Sequence, residues 1–93
     1  MTVLRLRQQG LEWRLVDDEV VALDLGTSRY VSTNKAGAVL WNDLAEGTTR
    51  EALVAGLMDR WGIDHPRGEA DVDEFLTLLG DRDLLEPADT ASG

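Results

Sequence analysis

Few residues of this chain are of the types that perform covalent chemistry. The 93 residues include no cysteine and one histidine, which excludes disulfides, thiol nucleophiles and cysteine-ligated metals. That histidine, His65, stands beside Pro66 without a nearby serine to activate, and we interpret it as a surface residue. The adjacent acids Asp17 and Asp18 are typical of a turn rather than of a general acid–base pair. The sequence therefore predicts no catalytic residue, no metal site and no cofactor.

The chemistry that remains is electrostatic, and it is concentrated in the last third of the chain. Nine Lys and Arg residues against eighteen Asp and Glu residues give a net charge of −9. Residues 63–93 hold two of those cations and nine of those acids. Such a surface repels phosphate, which argues against nucleic acid as a partner. Two interpretations stay open: a solvated face that keeps a small protein in solution, or an attractive field for a basic peptide.

The elements that must position these acids begin with a group of short strands. Apolar and polar residues alternate over 11–15, which predicts a half-buried strand. Two further strands are predicted over 20–25 and 29–33, because both runs are rich in β-forming residues. The turns between them, at 17–18 and 26–28, are short enough to make the three strands an antiparallel meander. Residues 3–7 also alternate and are weighed as an extra N-terminal strand.

Helical periodicity replaces this alternation after the third strand. The first helix is predicted to begin at Thr33 or Asn34 and to stop at Gly47. The second runs from Thr48 to Gly62, and the third from about Glu69 to Arg82, after a loop over 64–68. Two capping boxes are predicted, Thr48 with Glu51 and Asp71 with Glu74.

Strands followed by helices predict an α+β fold. Three small helices beside a three-stranded antiparallel sheet form a winged helix-turn-helix-like arrangement, with the sheet at the N-terminus. We expect a single domain over 1–93, with a core of about 11–86 and a disordered tail over 87–93. No apolar run is long enough to span a membrane, and residues 1–5 lack the apolar core of a signal peptide. The expected location is the cytoplasm.

The third predicted helix has an apolar residue outside its core stripe. Projected at about 100° per residue, Leu78 falls beside Asp71 and Glu74, while Phe75 stays near the stripe. An apolar side chain next to two acids suits a groove for a short cationic peptide. Leu78 could instead pack under the tail or the first strand, and both interpretations stay open.

The third predicted strand is a second candidate surface. If this strand lies at an edge of the sheet, its free N–H and C=O groups are a template for an added strand. Arg29, Ser32 and Thr33 keep the strand polar, while Tyr30 and Val31 offer side-chain contacts. A polar edge strand is also an ordinary protection against aggregation.

The order of these residues resembles that of PqqD-like proteins, the recognition elements for ribosomally made, modified peptides. Four segments carry the resemblance, residues 20–41, 47–50, 60–62 and 69–76, and it covers roughly residues 11–86. The chain length and the turn and strand over 26–31 are most similar to the small leader-binding proteins of actinobacterial lasso-peptide pathways. Asp83 departs from the family, in which many members have Gly, but Asp tolerates a left-handed helix end.

The resemblance implies a binding function without catalysis. The leader of a precursor peptide would add as a strand to the third strand, in a groove closed by the third helix. The leader would then be presented to a cysteine-protease-like leader peptidase and an ATP-dependent cyclase. The residues implied to bind the leader are Arg29, Tyr30, Val31, Ser32 and Thr33 by strand pairing, Phe75 and Leu78 by apolar contact, and Asp71 and Glu74 by attraction of leader Lys or Arg.

Two alternatives remain for the function. Within the family, the chain could carry the precursor peptide of quinone-cofactor (PQQ) synthesis, with the same fold and mechanism and another client. From a different class, it could be a winged-helix DNA-binding regulator, which the acidic third helix opposes because that helix would lie in the major groove.

Overall fold

The computed structural model describes residues 3–86, so the tail predicted for residues 87–93 lies outside the described part. Three strands precede three helices, which confirms the predicted α+β fold. The elements are β1 (Leu11–Val16), β2 (Glu19–Asp24), β3 (Arg29–Ser32), α1 (Lys35–Glu46), α2 (Arg50–Trp61) and α3 (His65–Asp81). Within residues 3–86, none of these helices combines the length and the hydropathy that crossing a bilayer requires.

The sheet has the order β1-β2-β3 and is antiparallel throughout. Asp17 and Asp18 both have positive φ, at 53° and 67°, as the tight two-residue hairpin turn predicted there requires. The residues weighed as an extra N-terminal strand do not join this sheet. They form isolated bridges instead, from Leu4 to Thr48 and from Leu6 to Leu85, and so tie the start of the chain to the helical half.

Alternation along the strands divides the sheet into two faces. On β2, Val20, Ala22 and Asp24 are buried, so this face turns towards the helices. The same face includes Leu11 and Val31, which are buried as well. The opposite face carries Val21, Leu23 and their cross-strand partners. Most of these side chains are exposed, because no helix of residues 3–86 covers this face.

The helix boundaries agree with the sequence in some places and correct it in others. Asn34 caps α1 by accepting a hydrogen bond from the N–H of Gly37, and Gly62 ends α2 in the left-handed conformation, both as predicted. The predicted box of Thr48 with Glu51 is wrong, because Thr49 is the N-cap of α2.

The third helix begins four residues earlier than predicted. Asp64 is its N-cap and accepts from the N–H of Arg67, with Pro66 in the first turn, where no backbone donor is needed. Most of the predicted loop is therefore helical, and Asp71 and Glu74 lie in the middle of α3 rather than in a capping box. Asp83 has a φ of 60°, so the left-handed helix end expected of this residue is confirmed.

The core lies between the inner face of the sheet and the helices. Trp41 is fully buried, and its ring meets that of Trp13 edge to face at 6.0 Å between centroids. Trp61, by contrast, is 44% exposed. Gly68 allows α3 to approach α2, since a Cβ there would lie 3.2 Å from Cγ1 of Val54.

Candidate functional site

A cavity of about 740 Å³ opens between α3, the end of α2 and the start of α1. All four α3 residues predicted to bind a peptide line it, because residues 71, 74, 75 and 78 lie on one face of the helix over about two turns. Within residues 3–86 Leu78 lines this cavity and is 40% exposed, so the first strand does not cover it; the tail lies outside the described residues, and the groove stays a prediction. The lining residues are Asn34, Ala36, Gly37, Leu40, Leu57, Trp61, Ile63, Arg67, Asp71, Glu74, Phe75 and Leu78.

Gly37 makes room for one wall of this cavity. A Cβ at Gly37 would lie 3.2 Å from Cε1 of Phe75 and 2.9 Å from Cβ of Thr33. Gly in a helix costs about 1 kcal/mol relative to Ala, and its presence here is explained by the closeness of the Phe75 ring. The residue thus sets the distance between α1 and α3.

The acids at the cavity mouth are not equivalent. Arg67 lies one turn before Asp71 on the same helix, and its Nε is 3.7 Å from Oδ2 of Asp71. The arginine therefore offsets part of the negative charge of Asp71. Glu74 has no ion-pair partner among residues 3–86. The free negative charge beside the apolar wall therefore belongs chiefly to Glu74.

Other acids of α3 are held away from the cavity. Arg50, at the start of α2, donates two hydrogen bonds to Asp73, at 2.7 and 2.8 Å, and lies 3.4 Å from Glu69. These bonds lower the pKa of Asp73 and raise that of Arg50. His65 lies 3.5 Å from Glu69 and is exposed, in agreement with its interpretation as a surface residue. The acidity counted in the sequence is thus partly offset by pairing between the two helices.

The backbone of β3 offers hydrogen bonds at two positions. The N–H of Thr33 donates to the carbonyl of Val20 at 3.0 Å, so Thr33 faces β2. Because successive residues of a strand direct their N–H and C=O groups to opposite sides, Val31 also faces β2. Tyr30 and Ser32 then direct theirs to the free edge, where no partner strand lies within residues 3–86.

A second cavity, of about 430 Å³, connects β3 with the far end of α3. Arg29 and Val31 line it from the strand. From the helix end and its continuation it is lined by Asp81, Arg82, Asp83 and Leu84, with Asp24 and Thr27 completing the wall. A cavity therefore lies near each end of β3, since Arg29 and Val31 line the smaller one and Asn34, two residues after the strand, lines the larger one.

A partly buried ion pair, Arg7 with Asp24, lies next to the second cavity, and Asp24 is one of the lining residues. Asp24 is 4% exposed and accepts a 2.6 Å hydrogen bond from Arg7, which also donates to the carbonyl of Asp83 at 3.0 Å. The hydrogen bond from Arg7, supported by the N–H of Gly26, lowers the pKa of Asp24. Arg7 thereby joins the start of the chain, the end of β2 and the end of α3.

The predicted site residues divide into three groups. Asp71, Glu74, Phe75 and Leu78 share the larger cavity, and Arg29 and Val31 share the smaller one. Tyr30, Ser32 and Thr33 line neither, and the first two contribute backbone groups at the edge.

Sequence reasoning missed several lining residues, above all Trp61, Ile63 and Arg67. Trp61 and Ile63 flank the glycine that ends α2, and Arg67 was placed in a loop. No cluster of three or more potential metal ligands occurs within residues 3–86.

Comparison with known proteins decides the family. The family model described as coenzyme PQQ synthesis protein D (PqqD) matches residues 19–85. The chain belongs to the PqqD family. Its resemblance to PqqD-like recognition elements of modified peptides is thereby confirmed.

Two solved structures are similar to this PqqD-family chain. One is TbiB1 in complex with the TbiA(beta) leader peptide, 32% identical, with a TM-score of 0.81 over 88% of this chain and 94% of that one. The other is lasso peptide synthetase B1 complexed with the leader peptide, 21% identical, with a TM-score of 0.79 over 90% of this chain and 98% of that one; it shows the shared fold. No curated protein matches this chain.

Proposed function

We propose that this chain is a non-catalytic recognition protein that binds the leader of a ribosomally synthesised precursor peptide in lasso-peptide biosynthesis. The observation that carries the proposal is the similarity to TbiB1, which shares 32% identity over nearly its whole length and was solved with a leader peptide. The geometry supports it, because an edge strand with free backbone groups lines the smaller cavity and is followed, at Asn34, by the larger apolar cavity with its two acids.

Binding would follow the physics of strand addition. The leader pairs with Tyr30 and Ser32, whose backbone groups provide affinity that does not depend on leader sequence. Side chains of the leader that point inward meet Arg29 and Val31. Ordering a flexible leader costs roughly 2–5 kcal/mol, so we expect a complex of moderate affinity.

Selectivity would come from the larger cavity. Phe75 and Leu78 receive an apolar side chain of the leader, while Glu74, assisted by Asp71, attracts a neighbouring Lys or Arg. The five acids on α3 against one arginine favour such a peptide over a DNA groove, where phosphates would be repelled.

The bound leader would then be presented to processing enzymes. In this proposal the chain itself breaks no bond, and a leader peptidase of the cysteine-protease type and an ATP-dependent cyclase act on the peptide that it holds. The expected readout is faster leader cleavage by the peptidase when this chain is added.

One observation favours a second candidate peptide, the precursor of PQQ. The matching family model is that of coenzyme PQQ synthesis protein D. The same groove would then hold the precursor of that cofactor. The two candidates differ in the peptide, and not in the residues that bind it.

The deciding experiment is a fluorescence anisotropy titration with three labelled probes: a lasso-precursor leader from the same pathway, a PQQ precursor peptide and duplex DNA. Saturable binding of the lasso leader alone supports the proposal. Tighter binding of the PQQ precursor would show that this chain acts in PQQ synthesis instead. Binding of DNA that weakens steeply between low and moderate salt would overturn both.

A further inference from the structure

The free edge of β1 directs hydrogen-bonding groups away from the sheet at three positions. Leu25 donates to the carbonyl of Gly10, so Gly10 faces β2. Because alternate residues of a strand face the same side, the N–H and C=O groups of Leu11, Trp13 and Leu15 point to the free edge. No strand of residues 3–86 pairs with β1 on that side. The edge of β1 is therefore open to a further strand.

The sequence of β1 is complementary to itself about Trp13. Glu12 and Arg14, which carry opposite charges, stand one residue on either side of Trp13. Leu11 and Leu15 stand two residues on either side. When two copies of this strand pair antiparallel about Trp13, Glu12 of each copy lies opposite the partner's Arg14. Leu11 likewise lies opposite the partner's Leu15, so unlike charges and apolar side chains meet.

The same register matches the hydrogen-bonding groups. Trp13 faces the free edge, so the two copies exchange backbone hydrogen bonds at Trp13 and again where Leu11 meets the partner's Leu15. Glu12 and Arg14 then form the pairs without hydrogen bonds, in which Cα atoms lie about 4.5 Å apart and side chains come closest. Both charged side chains are exposed on the outward face of the sheet. An ion pair across the contact is therefore within reach.

Other antiparallel registers of β1 with itself lack this complementarity. Pairing about Glu12 or Arg14 puts like charges directly opposite each other, which is destabilising. Pairing about Leu11 or Leu15 leaves Glu12 and Arg14 without an opposite charge across the contact. The strand β3 offers no equivalent arrangement, because its only charged residue is Arg29. The charges thus select one register, and they select β1 rather than β3.

Pairing also covers apolar surface at the end of β1. Leu15 is 55% exposed, although Leu11 and Val20 on the same inward face are buried. An added strand places an apolar side chain beside Leu15 and removes part of its surface from water. This contact accounts for a large apolar residue that faces solvent on the core side of the sheet.

The net charge of −9 opposes association of two copies. Most of that charge belongs to residues 63–93, however, and the end of α3 in that segment borders β3 at the opposite edge of the sheet. At moderate salt, charges separated by more than about 8–10 Å are largely screened. The local balance of Glu12 and Arg14 therefore governs the contact at β1.

We infer that the edge of β1 is the contact surface for a second copy of this chain, paired antiparallel about Trp13 in a symmetric dimer. The two three-stranded sheets then form one six-stranded sheet. Five paired residues per copy are far fewer than the roughly 20–30 of a standard interface, so the dimer forms at high chain concentration. Both β3 edges stay at the outer ends of the sheet, and each copy keeps its own groove.

The test exchanges the two charges of β1. Sedimentation velocity, from low micromolar to near-millimolar chain, gives the dissociation constant of the dimer. Arg14→Glu and Glu12→Arg each convert both cross-strand ion pairs into like-charge pairs, while the double variant restores opposite charges in reversed order. Arg60→Glu makes the same change of charge at an exposed position of α2, away from the contact.

We expect each single variant to raise the dissociation constant about tenfold or more, and the double variant and Arg60→Glu to stay within about threefold of the wild type. An equimolar mixture of the two single variants should form a heterodimer, since every charged pair between them joins opposite charges. Leu15→Pro, which removes one donor at the edge, should weaken the dimer without a change of charge. Circular dichroism checks that each variant is folded.

Three results would overturn the inference: a wild-type chain that stays monomeric at near-millimolar concentration, a dimer that Arg14→Glu does not weaken, or single variants that do not associate when mixed. A dimer that is dissociated by Tyr30→Pro and not by Arg14→Glu would assign the contact to β3 instead. The inference does not rest on the proposed function. Leader binding is measured by anisotropy at concentrations below dimer formation, so failure of one leaves the other standing.

Discussion

The two edges of the sheet have similar backbones and different surroundings. Leu25 donates to the carbonyl of Gly10, so by alternation Trp13 and Leu15 of β1 direct their N–H groups away from β2, as Tyr30 and Ser32 of β3 do at the other edge. Beside β1, the inward ring of Trp13 packs on Trp41. Beside β3, α3 forms cavities near both ends of the strand. The neighbouring helix, rather than free hydrogen bonds, therefore distinguishes β3 as the candidate binding edge.

Equivalent proline substitutions at the two edges test this difference most strongly. Tyr30→Pro removes a donor that points to the free edge of β3, and leaves the pairing with β2 intact. A leader carbonyl left without its hydrogen-bond donor costs roughly 1–3 kcal/mol, so leader affinity should fall about 5- to 150-fold in anisotropy. Leu15→Pro makes the same change on β1 and should leave the affinity unchanged.

Circular dichroism of both proline variants should retain the helical signal. Equal losses of affinity at the two edges would mean that the leader does not select β3. If Tyr30→Pro binds the leader as tightly as the wild type, the leader does not pair with β3 at this edge.

Charge reversal at the larger cavity should have the next largest effect. Asp71→Lys with Glu74→Lys should weaken leader binding by about tenfold at low salt and much less at 0.5 M salt, because exposed charges are screened. Asp59→Lys, on α2 and away from the cavity, is the control.

The single neutral variants refine that prediction. Glu74→Gln should weaken binding more than Asp71→Asn, since Arg67 already offsets the charge of Asp71. The reverse order, or a loss that does not depend on salt, would make these acids a solvated surface and not a reader of leader cations.

Removal of apolar surface from the cavity wall should have a smaller effect. Leu78 is 40% exposed, so Leu78→Ala should leave thermal stability nearly unchanged while lowering leader affinity about fivefold, for roughly 1 kcal/mol of lost burial. Thr77→Ala, exposed on the same helix and outside the cavity, is the matched variant. Equal affinities for the two variants would exclude this wall from the contact.

The smallest effect concerns the ion pair behind β3. The folded pKa of Asp24 is lowered by Arg7, so its contribution to stability is present above the ordinary carboxyl pKa and is lost as the pH falls through the folded value. Asp24→Asn, which can still accept from the N–H of Gly26, should therefore lower Tm more at pH 7 than at pH 3. An equal decrease at both pH values would show that the pair's charge does not stabilise the fold.

Local signals in the sequence were enough to predict the strands and most helix ends. Alternation and β-forming residues located β1 to β3 within one or two residues, since a half-buried strand must repeat every second residue. Gly62 and Asn34 were recognised because their cap chemistry is local. Asp64 was missed because Pro66 was interpreted as part of a loop, although proline is equally suited to the first turn of a helix.

The candidate site was partly predictable. Helical projection placed Leu78 beside Asp71 and Glu74, because three residues of one helix need no other element to be neighbours. Trp61 and Ile63 could not be added, since they reach the same cavity from the end of α2 through the packing of α2 against α3. The order of residues along the chain does not indicate that the end of α2 and the middle of α3 line one cavity.

The sequence by itself determined the order of elements, the acidic third helix and the lack of residues for thiol chemistry, because composition and periodicity are properties of the chain alone. The tertiary structure decided which acids stay free, by pairing Arg50 with Asp73 and Arg67 with Asp71. It also decided that β3, and not β1, borders a groove, since that depends on where α3 crosses the sheet. Such contacts join residues far apart in the chain, and only packing brings them together.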